Sequence, residues 1–442
     1  MKYFIETYGC QMNVHDSERM AGLLEQSGYD RAESDADADL VVVNTCSVRE
    51  RAEDKLYTRL GEIKQMGRER GRHPIVAVTG CVAQQEGDAL LTRSSVIDLV
   101  IGTQRLKMLP MLAREVAAQR TPTVDIATPY EDPSFPLGHI RRDDSVKAWV
   151  TIIEGCNDFC AFCVVPYTRG HERMRAKAEI LAEVRDAAAH GRREVQLLGQ
   201  IVNHYQAPDD PACDFPALLE AVHEIPGIDR IRFASPHPRH TTDRLIAAVR
   251  DLPNVCKHLH LPVQSGSSRI LSLMRRRHTR DEYLDLVARI RAAIPNVQLS
   301  TDIIVGFPGE TPADFDETLS LTEMVGYHNQ FSFKYSVRPN TLASRRMTDD
   351  VTGEEKTRRI VELQQLQRRI QHALHERTVG QTHAVLVDAT SRRREWDLTG
   401  RTGGNTVVNF PGPPTWLGRI VDVTIRRAGP NSVWGEAAGD PG

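Results

Sequence analysis

The chain has 442 residues, with 56 Lys and Arg against 59 Asp and Glu and a formal net charge of −3, which excludes a blanket polyanion binder but leaves room for a local basic surface. Apolar residues make up 40% and charged residues 26%, so neither a disordered nor a collagen-like chain fits, and no apolar run reaches the roughly 18 residues of a membrane span. A domain per roughly 150 residues suggests about three domains. The start meets an acid at Glu6, too early for a secretory leader. The expectation is a cytoplasmic protein, with no membrane partner, whose eight cysteines are ligands or nucleophiles rather than disulfides.

Residues 1–116 alternate β-branched runs (Tyr3–Thr7, Leu40–Asn44, Ile75–Thr79, Val96–Ile101) with helix-period stretches (Ser17–Gln26, Val48–Arg70, Gln84–Leu91). That alternation predicts βα units on an open parallel sheet. Cys10, Cys46 and Cys81 each follow a strand's carboxyl end by one to three residues. Ligands bind at that edge of open α/β sheets, so three cysteines remote in sequence are expected to converge on one site. Residues 117–141, with Pro122, Pro129, Pro133 and Pro136, read as a linker.

From 142 to 376 the alternation resumes. Strand-like runs are Trp149–Glu154, Glu194–Leu198, Arg230–Ala234, His258–Val263, Gln298–Val305 and Gln330–Tyr335, with helices such as Glu179–His190, Leu245–Arg250, Arg280–Ala293 and Asp314–Val325 between them. Six repeats predict an incomplete (βα)6 barrel, followed by a long charged helix over Gly353–Arg377. Residues 377–440 hold about five short strands divided by Gly, Pro and Asn turns, the pattern of a small all-β, OB-like barrel, a class that often binds RNA.

The sequence Cys156-Asn157-Asp158-Phe159-Cys160-Ala161-Phe162-Cys163 spells C-x3-C-x2-C after the first strand of the second domain. Three clustered thiolates select zinc or iron–sulfur. Zinc would need a fourth ligand, with His171 the nearest candidate. An iron–sulfur cluster held by fewer than four cysteines keeps one iron open to an exogenous ligand.

This spacing resembles the radical S-adenosylmethionine (SAM) superfamily. The segments Tyr8–Asn13, Asn44–Glu50, Gly80–Gln84, Glu154–Asn157, Val164–Gly170, Leu259–Gly266 and Ser300–Glu310 extend the resemblance to the MiaB-type tRNA methylthiotransferases, and Gly400-Arg401-Thr402 with Val407–Phe410 resembles a TRAM domain. The resemblance implies two 4Fe-4S clusters, an auxiliary one on Cys10, Cys46 and Cys81 and a SAM-binding one on the catalytic Cys156, Cys160 and Cys163. It implies SAM contacts at Gly199 and Gln200, which end the second barrel strand, and at Gly306, Gly309 and Glu310, which end the fifth. It also implies the reaction: a SAM-derived 5′-deoxyadenosyl radical takes hydrogen from carbon 2 of an isopentenyl-adenosine beside the tRNA anticodon, and a methylthio group replaces it. The implied partners are the tRNA anticodon stem-loop and an electron donor such as flavodoxin or ferredoxin, with the enzyme a monomer. Rival readings are a methylthiotransferase for threonylcarbamoyl-adenosine or for a ribosomal protein, and a zinc-stabilised RNA-binding protein without catalysis.

For RNA phosphates the basic runs are Arg269, Arg275, Arg276, Arg277 and Arg280, then Arg169, Arg173, Arg175 and Lys177, then Arg392–Arg394. Trp396, Phe410, Trp416 and Trp434 are candidates to stack bases or to fill the small barrel's core.

Overall fold

The computed structural model describes residues 1–47, 50–128, 140–391 and 396–439, with the backbone alone for 50–52. Two compact units divide the chain: Met1–Asp143 with Ile153–Phe159 and Cys163–Arg175, and Asp144–Ile152 with Cys160–Phe162 and Ala176–Gly442.

In the first unit six parallel strands lie in the order Asp30–Arg31, Lys2–Tyr8, Leu40–Thr45, Ile75–Gly80, Leu99–Ile101, Thr123–Asp125. The central strands are buried on both faces, which is why they read as unbroken apolar runs. Val42 and Ala77 pack with Met20, Leu24 and Leu112 on one side, while Val41, Val43 and Val78 pack with Leu56, Leu60 and Ile63 on the other. The strand Thr123–Asp125 falls in the stretch read as a linker; three residues are too few to show a period. Residues 129–139 of that stretch lie outside the described residues.

The second unit carries six parallel strands in chain order: Lys147–Thr151, Glu194–Leu198 and Arg230–Phe233, then His258–His260, Gln298–Val305 and Asn329–Lys334. A bridge from Ile231 to Val255 joins the two sets. Among the described residues no ladder pairs the first strand with the last, so the barrel is open as expected. Capping boxes at Thr279 with Glu282 and at Thr311 with Asp314 start two of its helices.

The C-terminal strands Thr382–Thr390, Asp397–Thr402, Val407–Pro411, Val433–Ala437 and Ile420–Ala428 close into a barrel in that order. It is filled by Val385, Val387, Leu398, Val408, Phe410 and Val423. Arg230 donates to the carbonyls of Ala384 and Arg401, and Arg232 to those of Thr402 and Gly403, so two buried guanidinium groups tie this barrel to the larger one. No helix among the described residues is long and apolar enough to cross a membrane.

Candidate active site and cluster ligands

Register brings the first three cysteines together. Tyr8 pairs with Thr45 and Thr45 with Gly80, so three adjacent strands end level. Cys10, Cys46 and Cys81 follow by two, one and one residues; Cys10 caps the helix Gln11–Gln26 and Cys81 opens the helix Cys81–Glu86. Adjacent strands lie about 4.8 Å apart, so the thiols are forced into one group. The Cys46 thiol, hydrogen-bonded to both neighbours, holds Cys10 and Cys81 below the ordinary thiol range; burial opposes this and the Arg169 charge assists it. Cys46 itself is pushed well above that range by the same two bonds.

A polar framework fixes this edge. Cys10 Sγ donates to Asn13 Oδ1 at 3.3 Å, Asn13 Nδ2 to Asn44 Oδ1 at 3.0 Å, and Asn44 Nδ2 to the Asn13 carbonyl and Ser17 Oγ at 2.8 and 2.9 Å. Gly80, at φ 89°, closes it: a Cβ there would lie 2.4 Å from Asn44 Oδ1 and 2.5 Å from the Thr45 carbonyl. Arg169 reaches the same edge. Its guanidinium donates to Asp16 at 2.8 Å with both side chains almost wholly buried, and its backbone is held by Gln104.

Cys156, Cys160 and Cys163 share one loop. The Cys156 N–H donates to the Gly170 carbonyl at 3.1 Å, and Asn157 Oδ1 bonds His171 Nδ1 at 3.0 Å and accepts the Glu172 N–H at 3.2 Å. Cys160 is fixed in the second unit: Ala161 N–H donates to the Met274 carbonyl and Ala343 N–H to that of Ala161. No three His, Cys, Asp or Glu among the described residues converge to hold a single ion. The sulfur donors that Cys10, Cys46 and Cys81 bring together suit an iron–sulfur cluster, in which each cysteine binds a different iron.

Gly199 is buried and Gln200 half-buried after the strand Glu194–Leu198. Gly306, at φ 70°, packs on Lys356, whose Cγ a Cβ would approach to 2.3 Å. Glu310 accepts from the Gly306 N–H at 2.9 Å and from Arg359 at 2.6 Å, and the Gly309 N–H donates to Asp350 at 2.7 Å. These bonds hold the loop after the fifth strand to the helix Gly353–Glu376 and its approach.

Inside the barrel lies a polar string that spacing alone does not single out. Ser300 Oγ bonds His258 Nε2 and His260 Nδ1, each at 2.9 Å, and His260 Nε2 faces Asp302 at 3.4 Å. Asp302 pairs in register with Phe331, which is 47% exposed. Their sequence signal is the period-two placement of His258, His260, Ser300 and Asp302 on two strands, the last three within the segments Leu259–Gly266 and Ser300–Glu310.

The charge runs resolve differently from their sequence reading. Arg269 pairs with Asp314, Arg280 donates to the carbonyls of Gly266 and Glu317, and Arg276 is buried, leaving Arg275 and Arg277 exposed. Arg169 and Arg175 are buried, and Lys177 pairs with Asp210. Arg392–Arg394 lie outside the described residues. Phe410 is core, Trp434 stacks under Arg427, and Trp396 is 78% exposed.

Three family descriptions match the chain: "Uncharacterized protein family UPF0004" over residues 2–102, "Radical SAM superfamily" over 150–322 and "TRAM domain" over 376–438. A tRNA-2-methylthio-N(6)-dimethylallyladenosine synthase from Geobacter metallireducens is 46% identical, covering 98% of both chains. A protein of the same name from Methylococcus capsulatus is 45% identical over 99% of this chain and 96% of its own. Among solved structures, the radical S-adenosylmethionine methyltransferase TsrM from Kitasatospora setae superposes with a TM-score of 0.58 at 14% identity, covering 78% of this chain and 77% of that one, a likeness of fold.

Proposed function

The chain belongs to the radical SAM methylthiotransferase family that includes the tRNA-2-methylthio-N(6)-dimethylallyladenosine synthases it matches along its length, and we propose on that premise that it converts isopentenyl-adenosine beside a tRNA anticodon to the 2-methylthio derivative. Cys156, Cys160 and Cys163 would hold the SAM-binding 4Fe-4S cluster, and Cys10, Cys46 and Cys81 a second one. When bound, these groups supply the electron that cleaves SAM and the sulfur that is inserted.

The observation that carries the two-cluster reading is the convergence of Cys10, Cys46 and Cys81 at three level strand ends, in a chain that also bears the C-x3-C-x2-C loop. Arg169 places a positive charge beside the first triad and so favours its thiolates. Asn13 and Asn44 orient Cys10 and the strand ends, as outer-sphere groups do at metal sites. Gly199, Gln200, Gly306, Gly309 and Glu310 remain the candidates to line the SAM pocket, and Phe331 offers an apolar face to a purine or prenyl group. The exposure of Trp396 supports it as the residue of the C-terminal barrel that would stack an RNA base. A flavodoxin or ferredoxin would supply electrons, and the enzyme would act as a cytoplasmic monomer.

Anaerobic reconstitution tests this. Two 4Fe-4S clusters per chain are expected. Cys160→Ala should abolish 5′-deoxyadenosine formation, whereas Cys46→Ala should still release it and fail to insert sulfur. A colourless, zinc-loaded wild-type protein, or methylthiolated RNA from the Cys46→Ala enzyme, would refute the proposal.

A further inference from the structure

Arg276 is a buried cation in a position that ordinarily takes an apolar side chain. The helix Ser268–Leu273 ends with the Arg275 N–H donating to the Ser272 carbonyl and the Arg276 N–H to that of Leu271. Those are the two bonds of a Schellman motif, in which the residue at the Arg276 position usually packs an apolar group back on the helix. The left-handed residue of that motif is usually glycine; here it is Arg275, at φ 58°, and Arg277 repeats the conformation at φ 55°. Two non-glycine residues at positive φ each cost of order 1 kcal/mol or more, and such strain collects where the backbone has a task.

The consequence of this backbone is that Arg275 and Arg277 point to solvent while Arg276 turns inward, 7% exposed. Its Nη2 donates to the Pro262 carbonyl at 2.8 Å and its Nη1 to Cys160 Sγ at 3.5 Å. No carboxylate among the described residues pairs with it. A buried guanidinium needs an anion, and the group in reach that becomes one is the Cys160 sulfur. The same loop is clasped to the cysteine segment by the bond from Ala161 to the Met274 carbonyl, so the two cannot drift apart independently.

We propose that Arg276 is a positioning residue for the SAM-binding cluster, donating a charge-assisted hydrogen bond to the Cys160 sulfur and thereby raising the cluster's reduction potential. The inference rests on the reading that Cys160 is a cluster ligand. One-electron reduction adds a negative charge to the cluster and its thiolates. A fixed cation and an N–H donor at one sulfur stabilise the reduced form more than the oxidised form, which moves the potential upward.

The test is a redox titration followed by electron paramagnetic resonance, without SAM, on the full chain in a Cys46→Ala background so that a single cluster reports. Arg276→Gln is expected to lower the ratio of reduced to oxidised cluster at a fixed potential by about tenfold or more, which for a one-electron couple is about 59 mV. Arg276→Lys should recover most of that shift, and Arg277→Gln, an exposed neighbour, should leave the potential in place. If Arg276→Gln does not load a cluster, Arg276→Lys decides: loading with a near wild-type potential supports the proposal. A cluster that loads in Arg276→Gln with unchanged potential overturns it, including the case in which only SAM affinity falls. Absence of a 4Fe-4S signal in the chain with its native Arg276 would instead overturn the functional reading on which this one stands.

Discussion

Asp16→Asn isolates the contribution of the buried pair behind the first cysteine triad. Asp16 and Arg169 lie 2.8 Å apart with side chains 3% and 4% exposed. At an effective dielectric of about 20, unit charges at that distance attract by about 6 kcal/mol, a gain that desolvation of both ions largely offsets. Neutralising Asp16 removes the first of the charges that offset the desolvation of Arg169, leaving Cys81, Cys10 and Glu154 to favour it, and breaking a buried pair in this way costs about 3–5 kcal/mol. At about 2–4 °C per kcal/mol for a unit of 150–250 residues, the first unit should melt about 6–20 °C lower. Thermal unfolding by circular dichroism measures the shift, and hydrogen exchange in peptides from Leu40–Thr45 assigns it to this unit. Replacing both partners, Asp16→Leu with Arg169→Met, should recover most of the loss because no charge stays buried. A loss below about 1 kcal/mol in Asp16→Asn, or a double variant no better than the single one, would refute the reasoning.

Gly80→Ala should destabilise the same unit by about 2–5 kcal/mol, summing a glycine-only backbone conformation and a clash with Asn44 and the Thr45 carbonyl; urea denaturation of the apo-protein checks it. Burial, with Arg291 and His375 adding to it, holds His328 down to about 4 from 6.5. The unfolded chain therefore takes the proton first, so the stabilisation is complete above pH 6.5 and is lost as pH falls toward 4. The loss amounts to about 3 kcal/mol, and His328→Gln should show a correspondingly flatter dependence of folding free energy on pH in urea titrations. Deleting residues 380–442 strips Arg230 and Arg232 of their carbonyl partners, so the truncated protein should be less stable than the full chain by calorimetry. Trp396→Ala is the cleaner probe of RNA binding: with the fold retained, affinity for an anticodon stem-loop should fall by the about 1–3 kcal/mol of one stacked base.

Periodicity carries much of the architecture. The strands Glu194–Leu198 and Gln298–Val305 and the helix Arg280–Ala293 can be read to the residue, because each buries a repeating face and the repeat is written locally. The Cys10, Cys46, Cys81 triad is legible for the same reason: one cysteine per βα period, always after the strand, leaves register nothing to do but line them up. Charge is not legible in this way. Arg169 finds Asp16 across 153 residues of sequence, and in Ser265–Arg280 a run that reads as one phosphate-binding face divides into internal struts, two solvent-facing arginines and one cation aimed at Cys160. An arginine's letter records its charge but not its direction. Here direction comes from two left-handed residues that carry no glycine to announce them and from anions supplied by other elements. The sequence by itself therefore determined the fold class and the positions of the cysteines after their strands, since these follow from local hydrophobic period. Only the tertiary structure decided which charges are buried beside which sulfurs, because pairing and desolvation depend on what the rest of the fold brings near.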